Sequence, residues 1–245
     1  MKSDKYQKRS YRDWVKASGL CKAEVAVQET DLHILTDKPV DKDFVEDKIR
    51  LLRRHIEGYI QKDHRFLTSL SPLAVEKTAP LIVRDMGRAA LQANVGPMAA
   101  VAGAIAKFLG TSLLRKGYRD VIIENGGDIF LKTTQPRILS IYSGSSVLSQ
   151  KICLKIKPGI KPMGICTSSG TVGHSLSFGC ADSVVIIAAD ASLADAAATA
   201  VGNRVHTQED LPAAIDFARS LKGISGAVIV FGDRFASWGN IEFTA

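Results

Sequence analysis

The sequence predicts an α+β protein, and three observations support this. The segment 41–64 is charged but carries apolar residues at helical steps of three and four, at Val45, Ile49, Leu52, Ile56 and Ile60. Short β-branched segments separated by turn residues fill much of 120–188. No internal repeat and no Pro/Ser-rich linker divides the 245 residues. We therefore expect a single domain over 1–245, built as two closely joined lobes, with 1–20 as a basic, flexible N-terminal segment.

The first half of the chain is predicted to be a hairpin followed by helices. Alternating apolar and polar residues predict two strands, and helical periodicity with Pro80 and Pro97 at helix starts predicts three helices. The third helix is so rich in Ala and Gly that we expect it to be buried. These elements are strands at 22–27 and 32–35 and helices at 41–64, 80–92 and 98–115.

The second half is predicted to be a meander-like antiparallel sheet followed by mixed elements. The meander strands are expected at 120–124, 129–132, 138–142, 152–156 and 164–167. A fully apolar strand, two helices and two more strands are expected after it, at 183–188, 193–204, 211–221, 227–231 and 241–243.

Composition excludes several classes of protein. The formal charge is +7, but the basic residues are dispersed and partly matched by acids in 41–64, so a phosphate-bearing small ligand fits this charge as well as a nucleic acid does. The expected partners include no nucleic acid. The longest nearly uncharged apolar run, 95–106, is only about a dozen residues, too short to cross a bilayer. No apolar segment follows the N-terminal lysines. We expect no membrane partner and a cytoplasmic protein.

The four cysteines are Cys21, Cys153, Cys166 and Cys180. They form no C-x-x-C pair and have no His at zinc-finger spacing, so a structural metal knuckle is not predicted. Buried free thiols are the expectation. A Ser/His/Asp hydrolase is also not predicted, because the chain has no G-x-S-x-G elbow.

The segment T-S-S-G-T-V-G-H-S-L-S-F-G, residues 167–179, is rich in hydroxyl groups and glycine. Successive amides with hydroxyls beside them can hold phosphate oxygens. His174 titrates near neutrality and is a candidate for proton transfer, although a lone His is often structural. The candidate ligand-binding residues in this segment are Thr167, Ser168, Ser169, Gly170 and Thr171.

The segment Asn125-Gly126-Gly127-Asp128 lies between two predicted strands. Its glycines allow the positive φ of a tight hairpin, and a turn alone would explain them. The alternative is that the glycines let the backbone approach a ligand while Asn125 and Asp128 bind it.

Asp195 and Thr199 lie four residues apart in an alanine-rich helix, so both side chains are on one face. Two hard oxygens at one point suit Mg²⁺ or Ca²⁺. The alternative is that Asp195 stabilises the start of the helix through its dipole while Thr199 bonds to the backbone. Upstream, the small residues of 96–103 begin either an anion-binding helix or a tightly packed core helix.

Together and in this order, these motifs resemble the ApbE family of flavin transferases. Members carry a D-x-G-G-x-A-K-G helix start, an N-x-G-G-[DE] turn, a T-S-G loop with a following His, and an A-D-A-x-A-T-A helix. The counterparts in this sequence are 94–101, 125–128, 167–174 and 194–200. The resemblance covers roughly 94–203 and implies an ApbE-like fold with antiparallel and mixed sheets.

The resemblance also implies a function. Family members bind FAD with Mg²⁺ near its pyrophosphate and transfer FMN to a Thr or Ser of a target protein. It implies Asp195, Thr199 and the carbonyl of Ala99 as metal ligands, and His174 as a group that assists proton transfer. The expected partners are a dinucleotide and a protein acceptor, and a homodimer is a further expectation.

The chain departs from the family pattern at three places. Asn94 stands where the family has Asp, Ala100 stands where it has Lys, and S-L-S-F-G follows His174 where transferases have I-I-D-P. The departures leave two hypotheses open. One is Mg²⁺-dependent cleavage of FAD or transfer of FMN. The other is a non-catalytic binding or accessory protein, for example in sulfide assimilation and homocysteine formation, where a low-pKa thiol such as Cys166 or Cys180 matters.

Overall fold

The fold is centred on an eight-stranded antiparallel sheet. The computed structural model describes residues 19–170 and 178–244. In this part of the chain the large sheet has the order β1-β2-β3-β4-β7-β8-β9-β10, and a three-stranded sheet has the order β11-β6-β5. The strands are β1 Cys21–Val27, β2 Thr30–Thr36, β3 Val121–Asn125, β4 Asp128–Lys132, β5 Arg137–Ser140, β6 Cys153–Ile156, β7 Met163–Ser168, β8 Ser183–Ala188, β9 Ile224–Phe231, β10 Arg234–Gly239 and β11 Glu242–Thr244.

Six α-helices lie in the described residues and agree with the predicted helical segments, apart from one short extra helix. They are α1 Lys42–Lys62, α2 Arg65–Thr68, α3 Leu81–Ala93, α4 Val101–Arg115, α5 Ala191–Gly202 and α6 Leu211–Ser220. A 3₁₀ turn, Pro97–Ala100, leads into α4. The predicted α+β class is confirmed.

The alternation of side chains along the strands divides the core into two. On β3, Val121 and Ile123 face the helices, whereas Ile122 faces the small sheet. Both faces of the large sheet are therefore covered, one by the helices and the other by the three-stranded sheet. This explains why its central strands are nearly continuous apolar runs.

One prediction about the sheets was wrong, and one strand was missed. The meander prediction fails at β5 and β6, which leave the large sheet and pair with each other, so that β4 pairs directly with β7. The strand β10 was not predicted, although Gly232 and Asp233 form the two-residue turn that joins it to β9. The dipeptide Gly-Asp is the sequence signal that could have identified this hairpin, and in the structure its glycine has a φ of 63°.

Helix α4 is the central helix of the core, as its small residues predicted. The stretch Pro97–Arg115 is long and apolar enough to cross a membrane by length and composition alone. Half of it is buried inside the protein, and Ala104, Leu109 and Leu113 are almost fully buried. The helix packs on β3, β4 and α5. These contacts are those of a core helix.

Candidate functional site

The N-G-G-D segment forms the hairpin turn between β3 and β4. Asn125 pairs with Asp128, and Gly126 and Gly127 have φ of 68° and 103°. Positive φ at both central residues explains the two glycines. Asn125 donates a hydrogen bond from Nδ2 to the carbonyl of Ala102 at 3.2 Å, which fixes the turn against the first turn of α4.

Helix α5 approaches the sheet and α4 closely because glycines face it. A Cβ on Gly164 of β7 would overlap the Cα of Ala191, and one on Gly103 of α4 would overlap the Ala191 carbonyl oxygen. The same Gly103 Cβ would lie 2.8 Å from the Cβ of Asp195. The small residues of α4 and α5 are therefore needed for close packing, and this packing brings Asp195 to the start of α4.

The Asp195 carboxylate accepts a hydrogen bond from an amide in the first turn of α4. Its Oδ2 lies 2.8 Å from the Gly103 nitrogen, and the side chain is 9% exposed. Free amides at a helix N-terminus favour a negative charge. A carboxylate of the protein itself thus accepts from this amide, and binding of a ligand anion at 96–103 stays a prediction.

The alternative in which Asp195 stabilises the start of its own helix was wrong. Helix α5 begins at Ala191, and its N-cap is Asp190, whose side chain accepts from the Ser192 amide. Asp195 is the fifth residue of the helix. The predicted start, Leu193, was two residues late, so the capping role was given to the wrong aspartate.

Asp128 presents a buried oxygen with no partner. The side chain is 7% exposed, and its Oδ1 has no hydrogen-bond partner among the described residues. The Cys166 thiol and the Thr167 amide contact the same carboxyl group. Cys166 is fully buried, and its Sγ also lies 3.4 Å from the Ala191 carbonyl oxygen. The turn, β7 and α5 thus converge at these side chains.

Burial raises the pKa values of Asp195, Asp128 and Cys166. Burial raises the pKa of Asp195 to about 7, although the amides of Gly103 and Ala102 lower it. Burial and then the charge of Asp195 raise the pKa of Asp128 well above its usual range. Burial and the two carboxylates raise the pKa of the Cys166 thiol. The hypothesis of a low-pKa thiol is therefore wrong for Cys166.

The predicted hydroxyl-rich segment is described only in part. Thr167 and Ser168 end β7, and Ser169 and Gly170 follow it. Thr171 and His174 lie outside the described residues, so their predicted roles stay predictions.

The two ends of this segment are attached to neighbouring backbone. The Gly170 amide donates to the Ala181 carbonyl at 2.9 Å, and the Cys180 amide donates to Val205 at 2.7 Å. The Phe178 amide donates to Asn203 Oδ1 at 3.0 Å. Asn203 is the C-cap of α5. The helix that carries Asp195 therefore also anchors one end of the predicted phosphate-binding segment.

The other two predicted metal ligands are Thr199 on α5 and Ala99 just before α4. Thr199 is half-buried one turn after Asp195 on α5, and Ala99 is half-buried in the 3₁₀ turn before α4. Among the described residues, no group of three or more His, Cys, Asp or Glu side chains is arranged to hold a metal ion. A cation here would need hydroxyl, carbonyl and ligand oxygens beside carboxylates, as hard cations accept.

Sequence reasoning missed a charged network that holds α3, α4 and α5 together. Lys107 Nζ lies 2.8 Å from Asp85 and 2.7 Å from Asp190, and Arg88 bridges the same two carboxylates. Ser192 donates to Asp85 at 2.6 Å. The sequence signal that could have pointed to this network is Asp190, because Asp is a preferred N-cap and this residue stands directly before an alanine-rich helix.

Three of the four cysteines, and a cavity, lie apart from the cluster of Asp128, Cys166 and Asp195. All four cysteines are free, but only Cys166 is buried; Cys180 is exposed, and Cys21 and Cys153 are half-buried, so the expectation of buried thiols was wrong for three of them. A cavity of about 300 Å³ opens beside α3 and the start of α5. Its lining contains none of the predicted site residues: Arg88, Ala89, Gln92, Asp190, Leu193, Lys222 and Gly223.

A family model described as AbpE bacteria matches residues 12–226. The chain belongs to this family. Curated relatives of this AbpE-family protein are called UPF0280 proteins. One from Methanocella arvoryzae is 38% identical over 219 residues, covering 89% of each chain. One from Methanothermobacter thermautotrophicus is 44% identical over 196 residues, covering 77% of this chain and 75% of the relative.

Solved structures support the ApbE-like fold of the family member. The flavin transferase ApbE from Vibrio cholerae matches with a TM-score of 0.60 at 14% identity, covering 89% of this chain and 96% of that one. The apo form of the Pseudomonas stutzeri flavinyl transferase ApbE matches with a TM-score of 0.54 at 14% identity, covering 89% and 93%. The resemblance inferred from the motifs is thereby confirmed.

Proposed function

We propose that this AbpE-family protein binds FAD or a related dinucleotide together with Mg²⁺ and cleaves its pyrophosphate, releasing or transferring FMN. The observation that carries the proposal is the convergence of Asp195, the N-G-G-D turn and the first turn of α4 in one buried cluster. Three motifs that are far apart in sequence share one place, as a common ligand would require. The proposed flavin chemistry is taken from the solved proteins of similar fold, which are flavin transferases.

The residues present fit a hard divalent cation. Buried carboxylates without a cationic side chain are costly, and Asp128 Oδ1 is buried with no hydrogen-bond partner in residues 19–170 and 178–244. Asp195, the Thr199 hydroxyl and the Ala99 carbonyl would hold the ion. In an uninterrupted α-helix the Gly103 amide would point to the Ala99 carbonyl, but here it donates to Asp195. The ion, when bound, would neutralise charge on the diphosphate.

The protein's own groups would bind and orient the dinucleotide. The hydroxyls of Thr167 and Ser168 are the proposed contacts for phosphate oxygens, and Asn125 holds the turn against α4. His174 stays the candidate for proton transfer at the leaving oxygen. A protein Ser or Thr as FMN acceptor, a homodimer and the cytoplasm stay predictions.

The second candidate function is binding without transfer. It is favoured by Ala100 and by S-L-S-F-G after His174, because the family's lysine and acid are missing there. Such a protein would keep the cation and dinucleotide site and carry the ligand as an accessory protein.

One assay separates the two functions. The purified protein is incubated with FAD and Mg²⁺, and FMN and AMP are quantified by chromatography. We expect product from the wild type, at least ten-fold less from Asp195→Ala, and unchanged product from Asp216→Ala, which removes an exposed aspartate on α6. Tight FAD binding without product would favour the accessory function. No binding and no product would contradict both.

A further inference from the structure

The Asp128 carboxyl group is the described group whose surroundings least explain it. Its Oδ1 is buried and has no hydrogen-bond partner in the described part of the chain. A buried polar atom without a partner costs about 1 to 3 kcal/mol, and more if it is charged. The β3–β4 turn does not need the side chain, because the glycines and the strand pairing already form it. None of the described residues satisfies this oxygen, which leaves a position for a cation or a proton.

The charges around Asp128 indicate what this position accepts. The charged side chains that act most strongly on it are Asp195 and Glu124, and both are acids. Lys107, a cation on the facing helix α4, is already paired with Asp85 and Asp190. A cation or a proton would relieve the repulsion between Asp128 and Asp195.

We propose that Asp128 is a direct ligand of the divalent cation, so that the cation is held between two carboxylates, one from the β3–β4 turn and one from α5. This inference rests on the proposed function for the presence of the ion, but it assigns a ligand that the motif resemblance does not. It also gives the turn a role beyond ligand contact. The turn would carry a charge that compensates the ion, and its two glycines would set the position of that charge.

The test uses Mn²⁺ alone, without flavin, and electron paramagnetic resonance to count free ion. We expect Asp128→Asn and Asp195→Asn each to weaken Mn²⁺ binding at least ten-fold. The control is Asp216→Asn, which removes the charge of an exposed carboxyl group on α6. We expect the control to stay within about two-fold of the wild type.

Thermal unfolding gives a second, independent readout. The gain in unfolding temperature on adding Mg²⁺ should be larger for the wild type than for Asp128→Asn, because only the wild type has the full ligand set. If Asp128→Asn does not fold, Asp128→Ser, which is smaller and also neutral, replaces it in both measurements.

Unchanged Mn²⁺ affinity in Asp128→Asn would overturn the inference and would mean that Asp128 holds a proton. If Asp195→Asn lost the ion in the same experiment, the proposed function would stand without the Asp128 ligand. Absence of Mn²⁺ uptake by the wild type would also overturn the inference. The FAD assay would then decide the proposed function on its own.

Discussion

Replacing Gly103 by Ala tests whether close contact between α4 and α5 builds the site. The new Cβ would overlap the Ala191 carbonyl oxygen and lie 2.8 Å from the Asp195 Cβ. The overlapped atom belongs to the backbone of a helix, so a side-chain rotation cannot relieve the contact. The two helices would have to separate, which would stretch the hydrogen bond from the Gly103 amide to Asp195.

The magnitude follows from three contributions. Overpacking a core costs about 1 to 3 kcal/mol. Weakening a hydrogen bond to a charged group costs up to about 1.5 to 3 kcal/mol. The gain from replacing Gly by Ala in a helix is at most about 1 kcal/mol. We expect the free energy of unfolding to fall by about 2 to 3 kcal/mol.

The matched control is Gly58→Ala on α1, where a Cβ meets nothing within 4 Å. This variant should gain about 1 kcal/mol, because only helix propensity changes. Urea denaturation followed by circular dichroism measures both variants, and Mn²⁺ binding should weaken only in Gly103→Ala. Equal stabilisation by both substitutions would refute the close packing that positions Asp195.

Three further outcomes follow from the charged groups. The pKa of Asp195 is raised from 3.8 to about 7, so its contribution to stability is fully present below about pH 4 and is lost as the pH rises to about 7. Without divalent cation, the wild type should lose up to about 4 kcal/mol relative to Asp195→Asn over that range in urea titrations, and a constant difference would contradict the pKa. Lys107→Met should lower the free energy of unfolding by about 2 kcal/mol, a value reduced because the ion pairs are partly exposed, and Lys107→Arg should recover most of this loss. An equal loss of stability in both variants would argue against the ion pairs with Asp85 and Asp190. Asp120→Asn removes a carboxylate that lies 3.6 Å from the buried Arg137 guanidinium and accepts from the Thr134 hydroxyl, and it should cost about 3 kcal/mol, while FAD affinity stays unchanged because Asp120 adjoins the other end of β3. Altered FAD affinity in a folded Asp120→Asn protein would show that the two ends of the strand are coupled.

Local pattern predicted the elements well and their assembly less well. The stripe on α1 and the glycine turn of 125–128 were confirmed because the signals are short in range. The pairing of β4 with β7 could not be predicted in this way, because the order of strands along the sequence does not determine which strands share a sheet. Strand β10 was missed because its residues are mostly exposed and carry little apolar alternation.

The site was predicted as a set of motifs, but its internal bonds were not. Asp195 was identified as unusual because it stands among alanines, yet its partner Gly103 is 92 residues away along the chain. The contact of Cys166 with Asp128 could not be predicted from local sequence either, because nothing in the cysteine spacing indicated it. Such contacts depend on the crossing of α5 over β7 and α4. Neither the motifs nor the family resemblance indicated these two contacts.

The most direct test of the central claim is an isothermal titration of the wild-type protein with FAD, in Mg²⁺ and again in EDTA. The claim is that the β3–β4 turn, the first turn of α4 and Asp195 form one dinucleotide site that depends on a divalent cation. It predicts saturable binding in Mg²⁺ that weakens at least ten-fold in EDTA. Equal affinity in the two buffers, or no binding in either, would contradict it.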